Sequence, residues 1–183
     1  MEEIKTTLRA RDQNSPTYDE GIKWVEGMKM RYVQACIKEA LRIHPPLGQM
    51  LLRNVPEGGT TICGRDIASG TVVGCNAWTV HRDKSFYGED ADCYRPERWI
   101  DSSPEHIQKM ENLTLAFGGG PRVCIGKNIA LLEITKTIPE LFRRFEITIK
   151  DSREFTWASG WLTPQRGLNV YLKRRDQSYW LAD

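Results

Sequence analysis

The residues best placed to do chemistry lie in Phe117-Gly118-Gly119-Gly120-Pro121-Arg122-Val123-Cys124-Ile125-Gly126. Three consecutive glycines and a proline build a tight, pre-set turn, and the apolar segment Lys127 to Phe145 that follows has helical character. This places Cys124 immediately before a helix start. The unpaired N–H groups and the positive dipole end of a helix N-terminus favour the anionic form of a thiol held there, and Arg122 pushes the same way.

Other chemistries fit this stretch poorly. A phosphate-binding Walker loop needs four residues between its first glycine and Gly-Lys-Ser/Thr; Gly120 to Gly126 encloses five, and Asn128 stands where the magnesium-binding hydroxyl belongs. No GxGxxG register fits either. Structural zinc would require partner ligands at short spacing, whereas Cys36, Cys63, Cys75 and Cys93 are scattered without a CxxC pair. The plain alternative, a buried cysteine in an ordinary turn, stays open on residue type alone.

Phe117, Gly120, Arg122, Cys124, Gly126 and Ala130 together match FxxGxRxCxGxxxA, with every position present, and in this the chain resembles the haem-ligand loop of the cytochrome P-450 family. The resemblance implies that Cys124 is the proximal thiolate of a haem iron and that Arg122 pairs with a haem propionate. It also implies that Phe117 packs beside the sulfur and that Gly118 and Gly126 shape the cofactor-binding loop. A thiolate ligand donates electron density to iron and favours O–O cleavage. The segment Cys36 to Pro46, with Glu39 and Arg42 one helical turn apart, resembles the family's ExxR helix. Outside that context an i,i+3 pair reads as a surface salt bridge. In the family the pair is buried with a second arginine, and Tyr94-Arg95-Pro96-Glu97-Arg98-Trp99 supplies Arg98 as that third member of a structural network. By position after the ExxR helix, Arg53 fits a second propionate contact; without the motif it reads as a solvent-facing strand-end charge.

The elements that must position these residues follow from local pattern. Met1 to Arg11 is a mildly amphipathic helix that ends before the turn signal Asn14-Ser15-Pro16, and Tyr18 to Met30 is a second helix. Val33, Ile37, Ala40, Leu41 and His44 form one stripe, so Arg31 to His44 is a helix stopped by Pro45-Pro46. Met50-Leu51-Leu52 and Thr71-Val72-Val73, punctuated by Pro56 and glycines, read as small hairpins. Leu47, Met50, Leu51 and Leu52 suit either a hydrophobic substrate or plain core. Ala77 to Asp83 is a short helix in which His81 reads as a hydrogen-bonded structural histidine. Residues 83–111 carry eight acids against four bases and read as a surface loop region. After the cysteine loop, Ile129, Leu132, Ile138, Leu141, Phe142 and Phe145 make a helix stripe, with a kink or restart expected near Pro139. Ile147-Thr148-Ile149 and Leu168 to Leu172 alternate as strands that pair, Trp161-Leu162-Thr163 form a turn, and the tail Lys173-Arg174-Arg175 is solvated.

Composition sets the outer bounds. The chain has 183 residues, 40% hydrophobic and 27% charged, with formal net charge +2, which gives no case for nucleic acid. Residues 122–144 hold a local surplus of three positive charges, a basic face of the kind that in the family meets an electron-delivering flavoprotein. An odd cysteine count argues against a disulfide framework, and no apolar run reaches the roughly 18 residues of a membrane span. The expected fold is mainly α with small β-hairpins (α+β), the C-terminal part of the cytochrome P-450 fold, residues 1–183 being a C-terminal fragment of a single haem-binding domain. The implied function is a haem-thiolate monooxygenase acting on a small, hydrophobic organic substrate, with electrons from an NADPH-dependent flavoprotein reductase. The alternative is a truncated, non-catalytic remnant lacking the family's oxygen-activating helix. Endoplasmic-reticulum membrane is the location the resemblance suggests; no signal or anchor is legible.

Overall fold

The computed structural model describes residues 1–11, 20–158 and 160–176. The expected turn at Asn14-Ser15-Pro16 and the start of the second helix at Tyr18 lie outside them. α1 (Glu2–Arg9) buries Ile4 and Leu8, one turn apart, and carries acids at its start and Arg9 at its end, matching the helix dipole. The Glu3 carboxylate accepts the N–H groups of Tyr32 and Val33, so α1 caps the start of α3 (Arg31–Ile43). α2 (Trp24–Lys29) is shorter than expected; Glu26 accepts the Lys23 N–H at its start.

Two nested hairpins follow. β1 (Leu51–Asn54) pairs antiparallel with β4 (Val72–Cys75), and between them β2 (Thr60–Ile62) pairs with β3 (Arg65–Ile67). Met50 and Leu52 are exposed, so this run is not core. α4 (Ala77–Val80) starts where the Asn76 side chain accepts the Trp78 N–H.

Residues 83–111 depart from the surface-loop expectation. They hold α5 (Lys84–Tyr87), α6 (Arg98–Asp101) and α7 (Pro104–Leu113), and their Tyr87, Ala91, Trp99 and Met110 form a core cluster with Ala35 of α3. Asp83 and Ser103 cap α5 and α7, and this acid-rich stretch still buries its few apolar residues in that cluster.

α8 (Lys127–Arg144) runs unbroken through Pro139. Proline has no N–H, so the Thr135 carbonyl one turn earlier loses its helical partner. Gly27 of α2 packs against that carbonyl: a Cβ at residue 27 would sit 2.7 Å from Thr135 O and 2.6 Å from its Cγ2. The buried stripe of α8 is therefore Thr135, Pro139 and Arg143, while Ile129, Leu132, Ile138, Leu141 and Phe142 are exposed, the reverse of what apolarity alone suggests. β5 (Phe145–Ile149) pairs with β8 (Val170–Arg174) as expected, and β6 (Thr156–Trp157) with β7 (Gln165–Arg166). The intervening turn docks on the end of α3, with Thr163 N–H on Pro46 O and Gly48 N–H on Trp161 O. The tail is held rather than solvated at Arg175, whose Nε donates to the Phe142 and Phe145 carbonyls.

Gly27→Ala forces its new methyl into Thr135 and is expected to lower stability by about 1–3 kcal/mol despite alanine's better helix propensity. The check is the urea midpoint, with Gly21→Ala, whose Cβ would meet Glu140 at an ordinary 3.7 Å, as the unaffected control.

Candidate functional site

The cysteine loop is closed by its own backbone. Gly118 N–H donates to Leu115 O at 2.8 Å, Val123 N–H to Gly120 O at 3.1 Å, and Cys124 N–H to Phe117 O at 2.8 Å. Gly118 and Gly120 adopt φ of +74° and +64°, the left-handed region that side-chain-bearing residues avoid, so the glycines are what lets the chain reverse here. A 3-10 turn, Gly120–Arg122, then delivers the chain to Gly126, which precedes the first residue of α8. Cys124 is a free, exposed thiol, and Ile125 beside it is fully exposed at 102%. A Cβ at Gly126 would lie 3.9 Å from Sγ, so the glycine leaves that side of the sulfur uncovered.

Beneath the loop lies a buried charge cluster. Glu39, Arg42 and Arg98 are 0%, 0% and 2% exposed. The Glu39 Oε1 accepts from Arg42 Nη2 (2.8 Å), Arg98 Nε (2.9 Å) and the Arg95 N–H (2.8 Å); Oε2 accepts from Arg42 Nε and Trp99 Nε1, both at 2.9 Å. Burial pushes this carboxyl's pKa up, but the hydrogen bonds from Arg42, Arg95, Trp99 and Arg98 outweigh it and hold it below the ordinary value. Each arginine uses all five of its donors. Arg42 also reaches the carbonyls of His81, Ala91 and Cys93; Arg98 reaches those of Tyr87, Asp90 and Cys93 and the Asp90 carboxylate. Arg42 lies over the Tyr87 ring at 5.0 Å.

His81 joins this cluster to the loop. Its ring is fully buried; Nε2 accepts the Leu115 N–H at 2.7 Å, so Nδ1 carries the proton and donates to the Arg42 carbonyl at 2.9 Å. Burial, with Arg42 and Arg82 nearby, lowers its pKa from 6.5 to about 4, which keeps the ring neutral.

The structure brings Glu39, Arg42 and Arg98 together, and gathers Phe117, Gly118, Cys124 and Gly126 in one loop. It brings Arg53 to that loop, Nη2 to Gly119 O at 3.4 Å. Arg122 is exposed and has no ion-pair partner among the described residues. Arg143 leaves the expected basic face: it is buried and paired with Glu140 at 2.7 Å, and Arg144 pairs with the same carboxylate. Asp90, Tyr87 and Trp99 are members that sequence reasoning missed, although Trp99 ends the motif that supplied Arg98. A groove of ≈ 780 Å³ lies elsewhere, between α3 and α8, and Cys124 does not line it.

A mainly α fold with small antiparallel sheets, an exposed cysteine loop at the head of a long helix and a buried Glu/Arg/Arg cluster beneath it define a single family. The sequence pattern of the family described as Cytochrome P-450 matches residues 1–170, and the chain belongs to that family. It is 43% identical over 156 residues to the cytochrome P-450 monooxygenase esdpH of Penicillium shearii, covering 85% of this chain and 31% of that protein. It is 43% identical over 151 residues to the monooxygenase mpaDE' of Penicillium brevicompactum, covering 82% and 18%, and 46% identical over 130 residues to one of Aspergillus terreus, covering 71% and 26%. The chain spans less than a third of the length of these relatives.

Glu39→Gln takes the Glu39 counter-charge from buried Arg42 and leaves Arg98 with the Asp90 carboxylate, and should cost about 3–5 kcal/mol in chemical denaturation. His81 adds a pH dependence with a defined sign. The unfolded ring takes up a proton near 6.5 and the folded one only near 4, so the unfolded state binds more protons between these values. Stability is full above pH 6.5 and falls by about 3 kcal/mol as the pH drops to 4. Thermal midpoints should decline already between pH 6.5 and 5, before carboxylates of ordinary pKa titrate, and His81→Gln should flatten that decline.

Proposed function

We propose that this chain is part of a haem-thiolate monooxygenase, residues 1–183 contributing to a single haem-binding domain, with Cys124 as the proximal ligand. The observation that carries the reading is an exposed thiol at the head of α8, in a loop tied by hydrogen bonds to a buried charge cluster. The donor set fits. Among the described residues no three His, Cys, Asp or Glu side chains converge on one point, so a metal held by Cys124 must bring its other donors, as an iron porphyrin does. Gly126 keeps space beside the sulfur, the Phe117 carbonyl accepts the Cys124 N–H, and Arg53 and Arg122 supply exposed cations for propionates. When bound, the haem would supply oxygen activation, one atom of O2 entering an organic substrate. The protein's part is to hold a thiolate donor on one face and fix its position.

A hydrophobic substrate and a flavoprotein reductase fed by NADPH belong to the same proposal. Support for the reductase comes from exposed Lys127 and Lys136 on α8; support for monooxygenation comes from the names the relatives carry. Location at the endoplasmic-reticulum membrane is likewise proposed; no helix among the described residues is long and apolar enough to cross a membrane. A second reading, that these 183 residues alone bind haem without turnover, is favoured by the uncovered apolar side chains of α8.

Reduced, haem-loaded protein under carbon monoxide should show the red-shifted Soret band of a thiolate-ligated iron, and Cys124→Ala should abolish it. A band that survives Cys124→Ala would exclude Cys124 as ligand. Haem binding without substrate oxidation when NADPH and reductase are supplied would select the second reading.

A further inference from the structure

We infer that His81 is a positioning residue for the Cys124 thiolate, acting through a hydrogen bond to the backbone at the entrance of the cysteine loop. The inference rests on the haem-thiolate reading for its spectroscopic consequence and on the geometry alone for its structural one.

A run of hydrogen bonds and peptide links leads from the buried charges to the backbone N–H of Cys124. Arg42 is fixed by Glu39, and its carbonyl accepts from His81 Nδ1. His81 Nε2 accepts from Leu115 N–H, the Leu115 carbonyl accepts from Gly118 N–H, and the Phe117 carbonyl accepts from Cys124 N–H. Between the Arg42 carbonyl and Cys124 the links are backbone except for the imidazole. It is held at both nitrogens in one tautomer, and the residue's backbone N–H donates to Ala77 O at 2.8 Å, tying it to α4. It also anchors the cluster in return, because Arg42 Nη1 donates to the His81 carbonyl at 2.6 Å. A ring so constrained fixes where Leu115 sits, and the Leu115 side chain lies against Gly119, 3.6 Å from where a Cβ there would be. Displacing Leu115 therefore shifts the start of the turn that carries Cys124, nine residues on.

The two nitrogens can be separated by substitution. An asparagine amide reaches roughly the place of Nδ1 and can keep the bond to the Arg42 carbonyl while losing the one to Leu115. A glutamine carbonyl reaches roughly the place of Nε2 and can accept from Leu115 N–H while losing the bond to Arg42. Haem-loaded wild type, His81→Asn and His81→Gln are compared by the ferrous carbonyl Soret band at equal haem content and by amide hydrogen exchange at Leu115. The expected result is that Gln keeps the thiolate band and Leu115 protection, whereas Asn loses most of the band and its Leu115 amide exchanges about tenfold faster. The inference is overturned if Asn and Gln behave alike, or if both lose band only in proportion to thermal stability with Leu115 protection unchanged. Absence of a thiolate band in wild type would sink the haem-thiolate reading instead, and the Leu115 exchange comparison would still decide whether His81 positions the loop.

Discussion

A carboxylate held away from water between two guanidinium groups is the constraint on which the rest of this structure depends. Taking Glu39, Arg42 and Arg98 out of solvent costs several kcal/mol per charge, and the cost is offset only when every donor and lone pair is engaged. That condition is met here by backbone carbonyls. The arginines draw on residues 81, 87, 90, 91 and 93, so the acid-rich segment after α4 is wrapped around the pair of cations as well as packed on the small apolar cluster of Tyr87, Ala91, Trp99 and Met110. The cluster does for residues 83–101 what a hydrophobic core does elsewhere: it decides their path.

From that fixed point the geometry passes outward in short, directional steps. His81 carries it to Leu115, the left-handed glycines turn the chain, and the thiol emerges at the head of α8. The far end of the same helix is fixed differently. There Pro139 frees a carbonyl, Gly27 permits close approach of α2, and Glu140 gathers Arg143, Arg144 and the Ile22 N–H. Burial raises the Glu140 pKa, but these bonds prevail and hold it at about 2. A helix pinned at both ends by polar contacts can leave its apolar residues uncovered.

Much of this was legible in the sequence because it is carried by residues that few other folds require together. FxxGxRxCxGxxxA located the loop, and the triad of Glu39, Arg42 and Arg98 was implied by the resemblance to the family's two motifs, the spacing alone reading as a surface salt bridge. The α3 helix and the β5–β8 pairing followed from periodicity. What failed did so for stated physical reasons. Residues 83–111 looked like surface because acids and serine serve as helix caps there, while the apolar members that bury are spaced too sparsely to show a period. The apolar stripe of α8 is legible from periodicity, but it is not the contact face, which is set by the small and ring-closed residues Thr135 and Pro139 that allow α2 to approach. Asp90 and Tyr87 could not be found at all from local pattern, since their roles arise only where the chain crosses back over α3.

On the proposed haem-thiolate reading, a network of buried charges joined to the cysteine loop through His81 determines how one thiolate is presented to iron. X-ray absorption at the iron edge of the haem-loaded protein tests it most directly. The account predicts one sulfur neighbour in the first shell, ordered in native protein and disordered or absent when Glu39 is replaced by Gln with haem still bound. A first shell of nitrogen and oxygen alone, or a sulfur neighbour indifferent to Glu39, would contradict it.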